Sequence, residues 1–144
     1  MLAFTSIAEV LGIPPKNEEG ASTPFGLMSR IQRGLPVSAV ERVAARLAPS
    51  DRGFKFRIVP KATYGRRKTT HRLTAEEGTR LARIARVWGF ALEVWGDEDE
   101  ARDFLFRSHP MLEDARPIDV VLQNEIGGEL VPEILGRLKY GTAA

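Results

Sequence analysis

Lys61, Arg66, Arg67, Lys68 and Arg72 crowd five cations into a short stretch around Thr63 and Tyr64. Guanidinium and ammonium groups at that density hold phosphate oxygens, and a hydroxyl among them can reach a base edge. The chemistry they suit is polyanion binding rather than bond making. Elsewhere the chain offers little for catalysis. With no cysteine, thiol chemistry, disulfides and zinc-thiolate sites are excluded. His71 and His109 stand apart, beside basic and proline-rich sequence, and no metalloprotease, serine-hydrolase or phosphate-loop motif occurs. The acidic run Asp97 to Glu100 lacks the alternating spacing and glycine of a calcium loop, and a helix start accounts for it. No acid, base and nucleophile set converges, so the chain is expected to be no enzyme and to hold neither metal nor cofactor.

Charge is divided sharply along the chain. Residues 30–86 carry fifteen Lys and Arg against four Asp and Glu, whereas residues 87–144 carry five against twelve. A middle third that basic suits a polyanion, because neutralising phosphates releases condensed counterions. The acidic last third repels the same ligand, so the two regions call for different partners. The competing reading is a solvated basic face that offsets acids elsewhere in the fold, and charge alone does not choose between them.

The elements that must position these groups read as helices. Phe25, Met28 and Ile31 recur every three residues until Gly34, which predicts a short helix. Pro36 opens a second, with Val40, Val43, Ala44 and Leu47 on its inner face. Between Asp51 and Val59, Phe54, Phe56 and Ile58 alternate like a strand, while Phe54 and Ile58 also fit a helix, and periodicity leaves both open. The capping box Thr74-Ala-Glu-Glu77 starts the clearest helix, with Leu81, Ile84, Ala85, Trp88, Leu92 and Trp95 on one stripe and Gly96 at its end. Asp97 starts a further helix and Pro117 another. Gly127-Gly128 is expected to separate that one from a last helix, in which Pro132 is tolerable only in the first turn. About seven helices with short connections and no confident strand make the class all-α.

A chain of 144 residues with 43% hydrophobic and 28% charged residues is a globular composition. No apolar run approaches the roughly 20 residues of a membrane span. The opening MLAFTSIAEVLGIPP has neither the basic start nor the cleavage site of a secretory signal, which points to the reducing cytoplasm. Within the basic stretch, Pro36 to Leu47, Asp51 to Val59 and Lys61 to Thr70 fit three short helices of a helix-turn-helix. Lys61, Thr63, Arg66 and Arg67 would then read bases, with Lys68 and Arg72 on phosphates. The alternative is a charged loop ahead of the long helix, and Gly65 costs about 1 kcal/mol inside a recognition helix.

The run Gly34-Leu-Pro-Val-Ser-Ala-Val-Glu-Arg42, then Tyr64-Gly-Arg-Arg67, Leu73-Thr-Ala-Glu-Glu77, Arg83-Ile-Ala-Arg-Val87 and Glu93-Val-Trp-Gly-Asp97, resembles the antitoxins of RES–Xre toxin–antitoxin systems, whose relatives include the MbcA and ParS antitoxins. The likeness continues through Ala101-Arg102, Pro110-Met-Leu112, Arg116-Pro-Ile-Asp119 and Leu135-Gly-Arg-Leu138 to Tyr140-Gly141. The segment over 1–24 has no counterpart in it: its short apolar run followed by Pro14-Pro15 and Lys16 to Thr23 reads as a helical turn and a partly mobile linker, and Gly141 to Ala144 reads as a free tail. The likeness implies an all-helical protein with an Xre-like helix-turn-helix region over 25–73 and a toxin-binding and dimerising domain over 74–144. It makes Asp51 to Val59 helical by analogy. The partners it implies are a RES-type toxin that consumes NAD, operator DNA and a second copy of the chain. The C-terminal region would cover the toxin's active-site pocket through Leu135, Leu138, Lys139, Tyr140 and Gly141. A stand-alone helix-turn-helix regulator is the alternative.

Overall fold

A computed structural model describes residues 4–13 and 23–141, and in it the chain is all-α. The described residues form α1 (Phe4–Leu11), α2 (Pro24–Arg33), α3 (Ser38–Leu47), α4 (Lys55–Ile58), α5 (Lys61–Thr70), α6 (Ala75–Trp95), α7 (Glu98–Leu105), a 3-10 turn (Pro110–Leu112), α8 (Pro117–Gln123) and α9 (Glu125–Tyr140). No strand occurs among them. Two isolated bridges, Pro36 with Arg72 and His109 with Ala115, tie loops together.

Helix α6 is the axis. Its start is the expected capping box: Thr74 Oγ1 accepts from the Glu77 N–H at 3.2 Å, and Glu77 Oε1 accepts from the Thr74 N–H at 2.8 Å. Gly96 ends it at φ +71°, a left-handed turn that glycine adopts without a side-chain clash. Leu81, Ile84, Ala85 and Trp88 are fully buried, whereas Leu92 is half-buried and Trp95 reaches the surface. Twenty-one residues at about 1.5 Å each make a rod of roughly 30 Å. Helices α1 to α4 pack on it, and so do α7, α8 and α9, around one continuous apolar core.

Several expectations need correction. The opening is a packed helix rather than a turn: Ile7, Ala8, Val10, Leu11 and Ile13 are buried, and α1 rests on α6 and α3. The linker expected after it lies outside the described residues, as does the end of the tail. Helix α2 buries Gly26 and Leu27, while Phe25 is 81% and Met28 58% exposed, so of its three-residue apolar repeat Ile31 alone packs against the core. Pro36 precedes α3 and serves the bridge to Arg72. The open stretch Asp51 to Val59 is helical in α4, with Phe54, Ile58 and Val59 buried.

The largest correction concerns Gly127-Gly128, which do not separate helices but lie in the first turn of α9. Asn124 caps that helix by accepting from the Gly127 N–H at 3.1 Å. A Cβ on Gly127 would stand 1.9 Å from the Val120 carbonyl oxygen, and one on Gly128 would meet the Arg83 side chain at 2.4 Å. The glycines exist because α8 and α6 approach that closely. Pro132 consequently falls inside α9 rather than in its first turn. Proline has no N–H to offer the carbonyl four residues back. That carbonyl, on Gly128, instead accepts from Arg86 Nη2 at 3.0 Å.

Candidate functional site

The basic stretch folds into α5, a ten-residue helix held on α3 and α4 by one aromatic anchor. Tyr64 is buried, and its hydroxyl donates to Glu41 Oε1 at 2.8 Å, an oxygen that also accepts from Lys55 Nζ at 3.2 Å. Phe56 meets the Tyr64 ring edge-on with centroids 5.7 Å apart. Lys55 and Lys68 stand 5.2 and 5.5 Å from the Tyr64 centroid, and Lys61 stands 5.8 Å from that of Phe56. Cations over ring faces are held by the ring quadrupole, which keeps these ammonium groups at the surface in defined places. Burial, then the bond to Glu41, pushes the Tyr64 hydroxyl up to about 12. The Tyr64 hydroxyl and Lys55 hold the Glu41 carboxyl below its usual range.

Of the six residues expected to contact nucleic acid, α5 carries five in an unbroken helix despite Gly65, whose absent Cβ faces open space. Lys61, Arg66 and Lys68 are exposed. Thr63 is half-buried and accepts from Arg66 Nη2 at 3.3 Å. Arg67 turns inward, its Nε donating to Glu77 Oε1 at 2.8 Å, so it braces the start of α6. Burial pushes the Glu77 carboxyl up, but the bonds from Arg67 and the Thr74 N–H outweigh it and leave the group below its usual range. Arg72 lies beyond the helix, and its Nη1 donates to the carbonyls of Arg33 and Gly34 at 3.1 and 3.4 Å.

Much of the basic excess is therefore spent inside the fold. Arg80, Arg83 and Arg86, three apart on α6, donate to the carbonyls of Ile58, Val121 and Gly128 on three different elements. Arg80 and Arg83 meet carbonyls near the C-terminal ends of α4 and α8, where the backbone dipole favours a cation, whereas Arg86 meets the Gly128 carbonyl that Pro132 leaves without an N–H partner. Arg57 Nη2 reaches Asp119 on α8 at 2.6 Å, and Arg116 clasps the same carboxylate with two bonds of 2.8 and 3.0 Å. Arg116 foremost, with Arg57 adding to it, holds the Asp119 carboxyl below its usual range. The Arg57–Asp119 pair joins the basic unit to the acidic one, and sequence reasoning missed it because its partners lie 62 residues apart in the chain.

At the other end of the molecule, Leu135 is fully buried, so it belongs to the core. Leu138 and Tyr140 are 45% and 70% exposed, and Gly141 leaves the helix at φ +78°. Lys139 is paired with Glu93 on α6, and that carboxylate holds the ammonium above its usual range. Ile126, Leu130 and Met111, apolar and exposed, were not singled out by the sequence, because solvent exposure on a helix depends on what packs beside it. Among the described residues no group of His, Asp or Glu is arranged to hold a metal ion, and no helix is long and apolar enough to cross a membrane.

Residues 26–86 match the family described as the antitoxin Xre-like helix-turn-helix domain, and residues 90–141 match the antitoxin Xre/MbcA/ParS C-terminal toxin-binding domain. The two stretches meet inside α6. Among curated relatives, Antitoxin Xre of Photorhabdus laumondii subsp. laumondii is 29% identical over 147 residues, covering 98% of each chain. Antitoxin Xre of Yersinia enterocolitica serotype O:8 is 28% identical over 124 residues, covering 84% of this chain and 83% of the relative.

Proposed function

The chain belongs to the Xre-type antitoxins, and from that premise we propose that it silences a RES-type, NAD-degrading toxin by laying the end of α9 over the toxin's active-site pocket. Substrate is then excluded sterically, and the antitoxin performs no reaction of its own. The observation that carries this reading is the outward apolar end of α9, where Leu138 and Tyr140 are exposed at the far edge of the toxin-binding stretch. Tyrosine gives rigid contact area at small entropic cost, and Lys139, tied to Glu93, keeps that end of α9 on α6. Gly141 lets the chain turn away from the helix axis. In the same reading the protein works in the cytoplasm as a homodimer, reads its operator with α5 and represses its own operon. Lys61, Thr63 and Arg66 face the bases, Lys68 a phosphate, while Arg67 and Arg72 hold the recognition helix in place.

Co-expression with the RES-type protein encoded beside it tests the neutralising role. Full-length chain should keep NAD levels and growth normal, and removal of residues 138–144 should restore NAD loss while leaving the helical signal intact. Retained inhibition by the shortened chain would overturn the pocket-covering mechanism. A chain that binds operator DNA tightly yet leaves the toxin active would be a stand-alone regulator.

A further inference from the structure

At the C-terminal end of α6 lies a pocket of about 180 Å³, lined by Trp95, Glu100, Asp103, Phe104, Arg107 and His109. We infer that this pocket receives an arginine side chain of the toxin, as an anchor separate from the end of α9. The inference rests on the toxin-binding reading above and adds a second contact to it.

Its walls are aromatic and held from behind. Phe104 is buried on α7, and its ring centroid lies 5.8 Å from that of Trp95 and 4.7 Å from that of His109. His109 Nε2 lies 3.0 Å from the Phe104 carbonyl oxygen, which can only accept, so this nitrogen carries the proton and ties the ring to α7. The main chain of His109 is fixed as well: its N–H donates to the Ala115 carbonyl at 3.1 Å, and its carbonyl accepts from the Leu112 and Asp114 N–H groups, each at 2.9 Å. Trp95, the last residue of α6, completes the set and is 36% exposed.

One carboxylate in the pocket is left over. Asp103 is answered by Arg107, four residues on along the chain. Glu100 is exposed, and among the described residues its side chain has no hydrogen-bond or ion-pair partner; only its N–H is used, donating to Asp97. Helix α6 has no basic side chain in its last turn, the end where the backbone dipole favours a cation. Ring faces attract cations, tryptophan most strongly, and a planar guanidinium can stack on a ring while its fork reaches a carboxylate, which an ammonium cannot do. At roughly 30 Å³ per water the volume equals about six waters, enough for such a head group with part of its stem. Position argues for the toxin as the source, since the pocket lies within residues 90–141, the toxin-binding stretch. Lys139 pairs with Glu93, two residues or about 3 Å along α6 from Trp95, so the pocket and the outward Leu138 and Tyr140 share one end of that helix. With twelve acids against five bases over residues 87–144, this unit complements a basic partner surface.

The test measures binding of the full-length chain to the toxin encoded beside it, by calorimetry at several salt concentrations, with circular dichroism melting to verify that each variant folds. Trp95→Ala should weaken binding about thirtyfold, as loss of an aromatic anchor does. Glu100→Gln, which removes no contact within the described fold, should weaken it about fivefold and flatten its salt dependence. Combined with single arginine-to-alanine variants of the toxin, both changes should become neutral against one arginine and stay additive against the rest. Unchanged affinity in both variants, with removal of residues 138–144 still releasing the toxin, would overturn the pocket and leave the α9 reading standing. A loss in Trp95→Ala with none in Glu100→Gln, or losses additive with every toxin arginine, would also overturn it, because the contact would then be apolar or made to another group. Failure of the wild-type chain to bind the toxin would overturn both readings together.

Discussion

Tyr64 in α5 and Tyr140 at the end of α9 each have a lysine ammonium over the ring, yet the first is 4% exposed and the second 70%. Around Tyr64 the ring is the fixed part: Glu41 takes its hydroxyl, Phe56 its edge, and the cations of Lys55 and Lys68 lie over it, pointing outward. Around Tyr140 the cation is the fixed part, because Lys139 is paired with Glu93 and the ring is left in solvent. The same residue types thus present charge in the basic unit and apolar surface in the acidic one. What decides is the layer beneath, which offers α5 a carboxylate and an aromatic ring and offers α9 a carboxylate alone.

The contrast breaks most completely at the base of α9. Gly127→Ala forces a Cβ onto the Val120 carbonyl, a backbone clash no rotamer relieves, and should cost about 3 kcal/mol, lowering Tm by roughly 10 °C. Thermal melting of the variant measures it, and an unchanged Tm would mean that α8 and α9 are further apart than described.

Where α5 meets the start of α6, Glu77→Ala removes both the capping box and the partner of Arg67, and about 2 kcal/mol should be lost. Arg67→Ala should also lower Tm, whereas its neighbour Arg66→Ala should leave Tm unchanged and weaken DNA binding alone. Equal melting of the two arginine variants would refute the division of labour between them.

Acid should expose the same network. Glu41, Glu77 and Asp119 have folded pKa values below their ordinary 4.5, 4.5 and 3.8, so the unfolded chain takes up protons first as pH falls. Their stabilisation is complete above the ordinary carboxylate range and is lost as pH drops through the lowered values. Melting from neutral pH to about pH 3 should show the gap between wild type and Glu77→Gln narrowing below about pH 4.

Tyr64→Phe is a smaller perturbation, about 1.5 kcal/mol for one hydrogen bond to a carboxylate that keeps its bond from Lys55. It should also remove part of the alkaline loss of stability: Tyr64 moves from 10.0 to about 12, so its contribution is present below pH 10 and disappears as pH rises through that higher value. Tyr140→Phe should melt like wild type, and Tyr140→Ala should impair toxin inhibition. Smallest of all, Gly65→Ala fills open space on α5 and should raise stability by about 0.5 to 1 kcal/mol.

Helix ends were readable because their signals are local. Thr74 with Glu77, Gly34, Gly96 and Asp97 each act on the backbone within a few residues, and each sits where the sequence places it. Gly127, Gly128 and Pro132 misled for the opposite reason, since a glycine demanded by a neighbouring helix looks like a glycine that ends one. Phe25 and Met28 carry a helical period but no record of which side the core lies on. The cations of α5 were visible as a cluster, while the inward turn of Arg67 toward Glu77 was not.

Residue order by itself determined the helical class, most of the helix limits and the separation of a basic from an acidic unit, because capping, periodicity and charge are properties of short stretches. Tertiary structure alone decided which arginines face solvent. Arg80, Arg83 and Arg86 find their carbonyls, and Arg57 its carboxylate, on elements distant in the chain. A buried carbonyl or carboxylate must be paired wherever the fold brings it, and that location is set by packing and not by neighbours in sequence.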